Sequence, residues 1–133
     1  MKADSIKASA IISAEPAAVY AAWMSTKGHS EMTGNPAKVT PRAGCSFSAW
    51  DGYISGKTLE LKKNERIVQS WRSTDFADED PDSRLEVVLE KAKGGTRVTL
   101  LHTNIPAGHG AEYKKGWVDF YFKPMKSYFG AKK

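Results

Sequence analysis

Cysteine is almost absent from this sequence of 133 residues: Cys45 is the only one, so an internal disulfide is excluded. Residues 1–7 also lack the apolar segment of a cleaved secretory signal. Together these two absences predict a reducing compartment, in practice the cytoplasm. No stretch approaches the roughly eighteen consecutive apolar residues of a transmembrane helix, so a membrane span is excluded as well.

Metal ligands and phosphate-binding loops are equally scarce. The three histidines have no ligand-like spacing, and they are His29, His102 and His109. Residues 75–82 contain five acids in eight positions, but the glycine and the closing glutamate of a calcium-binding loop are missing. No glycine-rich loop opens a helix after a strand, and no serine stands in a Gly-x-Ser-x-Gly turn. We therefore predict neither a metal nor a cofactor.

The net charge of +5 raises the question of nucleic-acid binding. The lysines and arginines are scattered along the chain, and most lie beside predicted turns or near a chain end. Basic residues in such places are usually solvated. We therefore predict a basic surface in contact with water and no nucleic-acid partner.

Alternating apolar residues predict that most of the chain forms antiparallel strands. Residues 6–12 alternate as a strand with one buried face. The period of two returns over 44–104, with tight turns at 51–52 and 94–95. Gly56, inside one of these strands, indicates a bulge or a close backbone approach. The pattern predicts an antiparallel sheet of about six or seven strands.

Helical periodicity appears on both sides of this region. Pro16 suits the first position of a short helix, and Ser25 or Thr26 can cap a second one. From Gly110 onward a period of 3.6 predicts one long C-terminal helix, with a kink at Pro124. This order of elements predicts an α+β fold, in which an amphipathic helix lies on one face of a curved antiparallel sheet.

Aromatic and polar residues are mixed on the face where this helix would lie. The sheet would contribute Trp50, Tyr53, Trp71, Leu100 and His102, and the helix would contribute Tyr113, Trp117, Tyr121 and Met125. Two interpretations are open. In the first, these side chains fill the core, and each hydroxyl or indole N–H needs only a partner. In the second, they line a small-molecule pocket in which His102 or Tyr113 binds a polar head group.

Six segments of the chain form a recognisable series: residues 14–20, 47–57, 67–72, 82–85, 95–100 and 116–129. The segment 47–57 reads Phe-Ser-Ala-Trp-Asp-Gly-Tyr-Ile-Ser-Gly-Lys. The turn residues at 51–52 predict that this segment forms a hairpin. In order and content the series resembles the family named after the activator of the ninety-kilodalton heat-shock chaperone ATPase. The resemblance covers almost the whole chain.

This resemblance implies the helix-grip fold of the START-like (SRPBCC) superfamily, as a single domain over residues 1–133. In that fold a curved antiparallel sheet grips a long C-terminal helix, often over a hydrophobic cavity. The eukaryotic activator carries a similar domain at its C-terminal end, together with a large N-terminal domain for which this chain has no room. We therefore expect a stand-alone module, and the resemblance carries over no catalytic residues.

The sequence and the resemblance together leave three functions open. The first is a non-enzymatic binding module that holds a small lipophilic ligand between helix and sheet. The second is a co-chaperone-like module whose basic surface contacts a heat-shock chaperone ATPase. The third is an enzyme using His102 with Asp119 or Glu112, although the sequence places no base beside an orienting partner. We expect a monomer, or a weak dimer formed along a sheet edge.

Overall fold

The computed structural model describes residues 3–131, and an antiparallel sheet of six strands is the largest element within them. The strands are β1 (Asp4–Ile12), β2 (Ser46–Ala49), β3 (Ile54–Lys62), β4 (Arg66–Ser73), β5 (Ser83–Ala92) and β6 (Gly95–Ile105). Their order across the sheet is β1-β6-β5-β4-β3-β2, so the first strand pairs with the last. The predicted class and the lower of the two predicted strand numbers are confirmed.

Two short helices follow β1, and a long helical region follows β6. The segments are α1 (Pro16–Trp23), α2 (Thr26–Thr33), α3 (Gly110–Trp117) and α4 (Lys123–Ala131). Ser25 caps α2, because its hydroxyl accepts a hydrogen bond from the N–H of Gly28 at 2.8 Å. Gly34 ends α2 in the left-handed conformation, with φ of 77°. Among residues 3–131, no helix combines the length and the hydropathy needed to cross a membrane.

The C-terminal helix is irregular between α3 and α4. Residues Val118–Phe122 form a π-helical turn, in which the N–H of Lys123 donates to the carbonyl oxygen of Val118. The sequence located the irregularity at Pro124, whereas the structure has it in the residues before the proline. Proline has no N–H to donate, so the regular helical hydrogen bonds are interrupted on its N-terminal side. Turns of this kind are frequent at functional sites.

The helices cover one face of the sheet and bury its apolar side chains. In β1 the predicted alternation is confirmed, because Ala8 and Ile12 are buried while Ser9 and Ile11 are exposed. On the helical side, Trp23 of α1 and Met125 of α4 are buried in the same core. The core therefore lies between the sheet and the helices, where the periodicity placed it.

Gly56 allows β3 to pass close to β4. A Cβ atom at this position would lie 1.9 Å from the carbonyl oxygen of Ser70, a distance that no side chain can adopt. The close backbone approach predicted for this glycine is therefore confirmed. It matters for the site, because β3 and β4 provide two neighbouring walls of the cavity described next.

Candidate functional site

A cavity of about 300 Å³ lies between α3 with its π-helical turn and the sheet near β3 and β4. Ten of the described residues line it: Trp50, Tyr53, Ile54, Trp71, Glu112, Tyr113, Gly116, Trp117, Phe120 and Tyr121. Seven of the ten are aromatic. Tyr53, Glu112 and Phe120 are exposed, so they stand at the opening of the cavity to solvent.

Six of the nine side chains selected from the sequence line this cavity: Trp50, Tyr53, Trp71, Tyr113, Trp117 and Tyr121. The other three do not line it. Leu100, His102 and Met125 have no exposed surface and lie in the core. The structure therefore has an open cavity with a filled core beside it, and the small-molecule pocket stays a prediction.

Four lining residues were not selected from the sequence: Ile54, Glu112, Gly116 and Phe120. Three of them lie on the C-terminal helix, and their spacing was an available signal. Gly116 follows Tyr113 by three positions, and Phe120 follows Trp117 by three, so each pair shares a helix face. Glu112 precedes Gly116 by four and continues the same face.

Trp50 is held in the wall by a strained turn. Trp50 and Asp51 have φ of 54° and 56°, and Gly52 follows with φ of 89°. A left-handed conformation is unusual for a bulky side chain and costs on the order of 1–3 kcal/mol. Ring contacts join this turn to the helix, with centroid distances of 5.4 Å to Phe120 and 6.5 Å to Tyr121. These contacts offset part of the strain.

A directed chain of hydrogen bonds connects the indole of Trp117 to the backbone of Trp71. The indole N–H of Trp117 donates to Nδ1 of His102 at 3.1 Å, which leaves Nε2 as the protonated ring nitrogen. Nε2 donates to Oγ of Ser83 at 2.8 Å, and the Ser83 hydroxyl donates to the Trp71 carbonyl oxygen at 2.6 Å. Burial lowers the pKa of His102 to about 4, so its ring is neutral at neutral pH. His102 therefore connects β6, β5 and α3.

A second buried histidine holds Tyr121. Nδ1 of His29 lies 2.9 Å from the carbonyl oxygen of Trp23, and Nε2 lies 2.7 Å from the Tyr121 hydroxyl. Because a carbonyl only accepts, Nδ1 carries the proton and the tyrosine hydroxyl donates to Nε2. Burial lowers the pKa of His29 and raises the pKa of Tyr121. Tyr121 therefore offers the cavity an aromatic ring rather than a free hydroxyl.

Two tyrosine hydroxyls connect the cavity lining to Ser73 and Asp75. The Tyr53 hydroxyl donates to Oδ2 of Asp75 at 2.5 Å. The Tyr113 hydroxyl lies 2.6 Å from Oγ of Ser73, which also accepts from the N–H of Asp75 at 3.1 Å. Burial and the hydrogen bond to Asp75 raise the pKa of Tyr53 to about 12, so it keeps its proton at neutral pH. Asp75 is thus anchored beside the opening.

The structure does not bring the considered catalytic groups together. Both ring nitrogens of His102 are engaged by Trp117 and Ser83, and neither bonds to Asp119 or Glu112. Asp119 forms an ion pair with Lys123 at 3.2 Å, and Glu112 stands at the opening. Within residues 3–131, no three histidine, cysteine, aspartate or glutamate side chains are grouped so that they could hold a metal ion.

Known proteins similar to this chain are related to a chaperone activator. Residues 13–130 match the family described as Activator of Hsp90 ATPase homolog 1-like protein. The human protein named Activator of 90 kDa heat shock protein ATPase homolog 1 is 25% identical over 115 residues, which are 86% of this chain and 34% of the human protein. The chain spans about a third of the length of the curated relatives it matches.

Solved structures share the fold over nearly the whole chain. PFC0360w, an HSP90 activator from Plasmodium falciparum, is 25% identical with a TM-score of 0.84, covering 95% of this chain and 96% of that one. The Aha1 dimer from Colwellia psychrerythraea is 17% identical with a TM-score of 0.80, covering 98% and 99%. At that identity the second likeness shows the fold alone. Together they confirm the predicted helix-grip fold.

Proposed function

Because the chain belongs to the family of Activator of Hsp90 ATPase homolog 1-like proteins, we propose that it is a non-enzymatic module that binds a small lipophilic molecule in the aromatic cavity. The observation that carries this proposal is the cavity itself, in which seven aromatic rings from sheet and helix surround about 300 Å³ of space open to solvent. Small-molecule sites are typically concave and mainly apolar, with a few polar groups that fix orientation.

The walls support binding because they are already held in place. The Trp117 indole is held by His102, the Trp71 ring packs against the rings of His102 and Tyr113, and the Tyr121 hydroxyl is engaged by His29. A ligand would therefore meet ordered rings, and little side-chain freedom would be lost when it binds. The hydroxyls of Tyr113 and Tyr121 are already paired with Ser73 and His29, which favours a ligand whose inserted part is mainly apolar.

The first test is a two-dimensional amide NMR spectrum recorded with pools of apolar small molecules. We expect shifts at the lining residues, and the responding pool gives the ligand class. Phe120→Ala should then weaken the identified ligand about fivefold, because the ring stands at the opening and provides apolar contact area. Phe120 is 55% exposed, so its removal should leave folding intact.

Val118→Ala is the matched control for this variant. Val118 lies in the same helical turn and is 39% exposed, but it does not line the cavity. Its removal should change the affinity less than twofold. A well-dispersed spectrum in which no pool causes shifts would contradict the proposal, and equal effects of the two variants would contradict the location of the site.

A second candidate function is contact with a heat-shock chaperone ATPase. The observation in its favour is the likeness over 95% of this chain to a protein that is itself named an HSP90 activator. The net charge of +5 would suit an acidic partner surface. Co-elution with a heat-shock chaperone ATPase of this class at low salt, together with a change in its ATPase rate, would support this function. An unchanged rate without co-elution would contradict it.

The cytoplasmic location and the monomeric or weakly dimeric state stay predictions.

A further inference from the structure

The opening of the cavity carries negative charge although the protein as a whole is positive. Glu112 lines the cavity, and Asp75 is tied to the lining residue Tyr53 by a hydrogen bond of 2.5 Å. None of the ten lining residues is basic. Lys114 and Lys115 belong to the same helix but do not line the cavity. The charge at the opening is therefore opposite in sign to the net charge of the chain, which is +5.

The inner walls consist mainly of aromatic rings that contact one another. Trp71 contacts Trp117 with a centroid distance of 5.6 Å and Tyr113 with 5.2 Å, and Trp117 contacts Tyr121 with 4.8 Å. The face of an aromatic ring is electron-rich and attracts a cation placed within about 6 Å of its centre. Rings in mutual contact around a small space therefore form a surface that stabilises a positive charge.

We propose that the cavity binds an organic cation with an apolar body, whose alkylated ammonium group lies against the indole and phenol rings near Glu112 and Asp75. This inference rests on the proposed function and names the chemical class of its ligand. A trialkylated ammonium suits the site better than a primary one. It is weakly hydrated and has no N–H groups, so it can lie against aromatic rings without giving up strong hydrogen bonds to water.

The raised pKa of Tyr113 agrees with this assignment. Burial raises the pKa of Tyr113, and the negative charges of Asp75 and Glu112 raise it further. The same two carboxylates that disfavour a phenolate here would favour a cation. Their charge would also compensate the cost of moving a cation out of water, which is large for an unpaired charge.

The test compares two molecules of nearly the same shape. (4-Hydroxyphenyl)trimethylammonium and 4-tert-butylphenol differ in one central atom, nitrogen or carbon, and therefore in charge. Each is titrated into the full chain and followed by NMR shifts of the indole N–H groups. We expect the cation to bind about tenfold more tightly at low salt, with a difference that shrinks as salt is added.

Two charge-removing variants locate the effect. Glu112→Gln keeps the size of an exposed side chain and should weaken the cation about threefold, a larger loss than for the neutral phenol. Glu90→Gln removes the same charge from an exposed position on β5 that does not line the cavity, and it should change neither affinity.

The outcomes separate this inference from the proposed function. If the phenol binds as tightly as the cation or more tightly, the cavity binds apolar molecules without regard to charge, and the inference is overturned while the proposed function stands. If Glu112→Gln weakens the cation no more than Glu90→Gln does, the inference is likewise overturned. If neither molecule binds and the apolar pools are silent as well, both proposals are overturned.

Discussion

Replacing Trp117 with alanine is expected to lower the free energy of unfolding by about 4 kcal/mol, the middle of the range for removing a buried aromatic side chain. Trp117 is only 3% exposed. Its ring contacts those of Trp71, Tyr121 and Trp23, with centroid distances of 5.6, 4.8 and 6.4 Å. Urea unfolding of the variant and the parent at pH 7 measures the loss.

Trp117→Phe separates the two contributions to this loss. Phenylalanine keeps an aromatic ring but cannot donate to Nδ1 of His102, which accepts from the indole at 3.1 Å. Leaving that buried nitrogen unpaired should cost roughly 1–3 kcal/mol. A loss for Trp117→Ala no greater than that for Trp117→Phe would contradict the packing role of the ring.

Acidification is expected to remove about 3 kcal/mol of stability between pH 6.5 and pH 4 through His102 alone. Burial lowers the pKa of His102 from 6.5 to about 4 in the folded state. In this interval the unfolded chain binds a proton that the folded chain does not, so stability falls as the pH falls. Protonation of His102 at Nδ1 would also place an N–H against the indole N–H of Trp117, which donates to that nitrogen in the neutral ring.

Other groups act in the same direction. Burial also lowers the pKa of His29, which adds to the loss as the pH falls through 6.5. The ion pair with Arg66 lowers the pKa of Glu86 below 4.5, so its contribution is lost only in more acidic solution. The interval between pH 6.5 and 4.5 therefore reports mainly on the two histidines.

His102→Gln provides the control for the pH dependence. The variant has no group that titrates at this position, so its stability should be lower at pH 7 yet fall less steeply toward pH 4.5. Urea unfolding at both pH values gives the slope, and an NMR titration of the ring protons gives the pKa of His102 directly. A pKa near 6.5 in the folded protein would contradict the assignment.

Much of the fold could be predicted because periodicity reports directly on buried faces. The alternation in β1 and the spacing of Tyr113, Trp117 and Tyr121 each gave the correct face. The close approach at Gly56 was predictable because a glycine inside a strand usually marks a bulge or a close backbone approach. The position of the π-helical turn was not, since local sequence shows that Pro124 disrupts a helix but not how the preceding residues adjust.

The candidate site could be predicted only in part. Apolar periodicity shows which side of a strand or helix a residue lies on, but not how deeply its side chain is buried. Leu100, His102 and Met125 lie on correct faces, yet they are too deep to reach the cavity. The hydrogen-bond partners of His102 come from the neighbouring elements β5 and α3, and periodicity does not show which polar side chains of two elements meet. Glu112 was considered only as a catalytic helper and Phe120 was not selected, because helical periodicity does not show where a cavity opens to solvent.

The order of the strands determines when the sheet can be completed during synthesis. Asp4 in β1 pairs opposite Ile105 in β6, about 100 residues later. At ordinary translation rates this separation corresponds to roughly 5–20 s on the ribosome. Hairpins β3–β4 and β5–β6 are local and can form as they emerge, but long-range pairings of this kind are slow. The first strand to leave the ribosome thus waits longest for its partner, and its unpaired edge is open to other chains during that time.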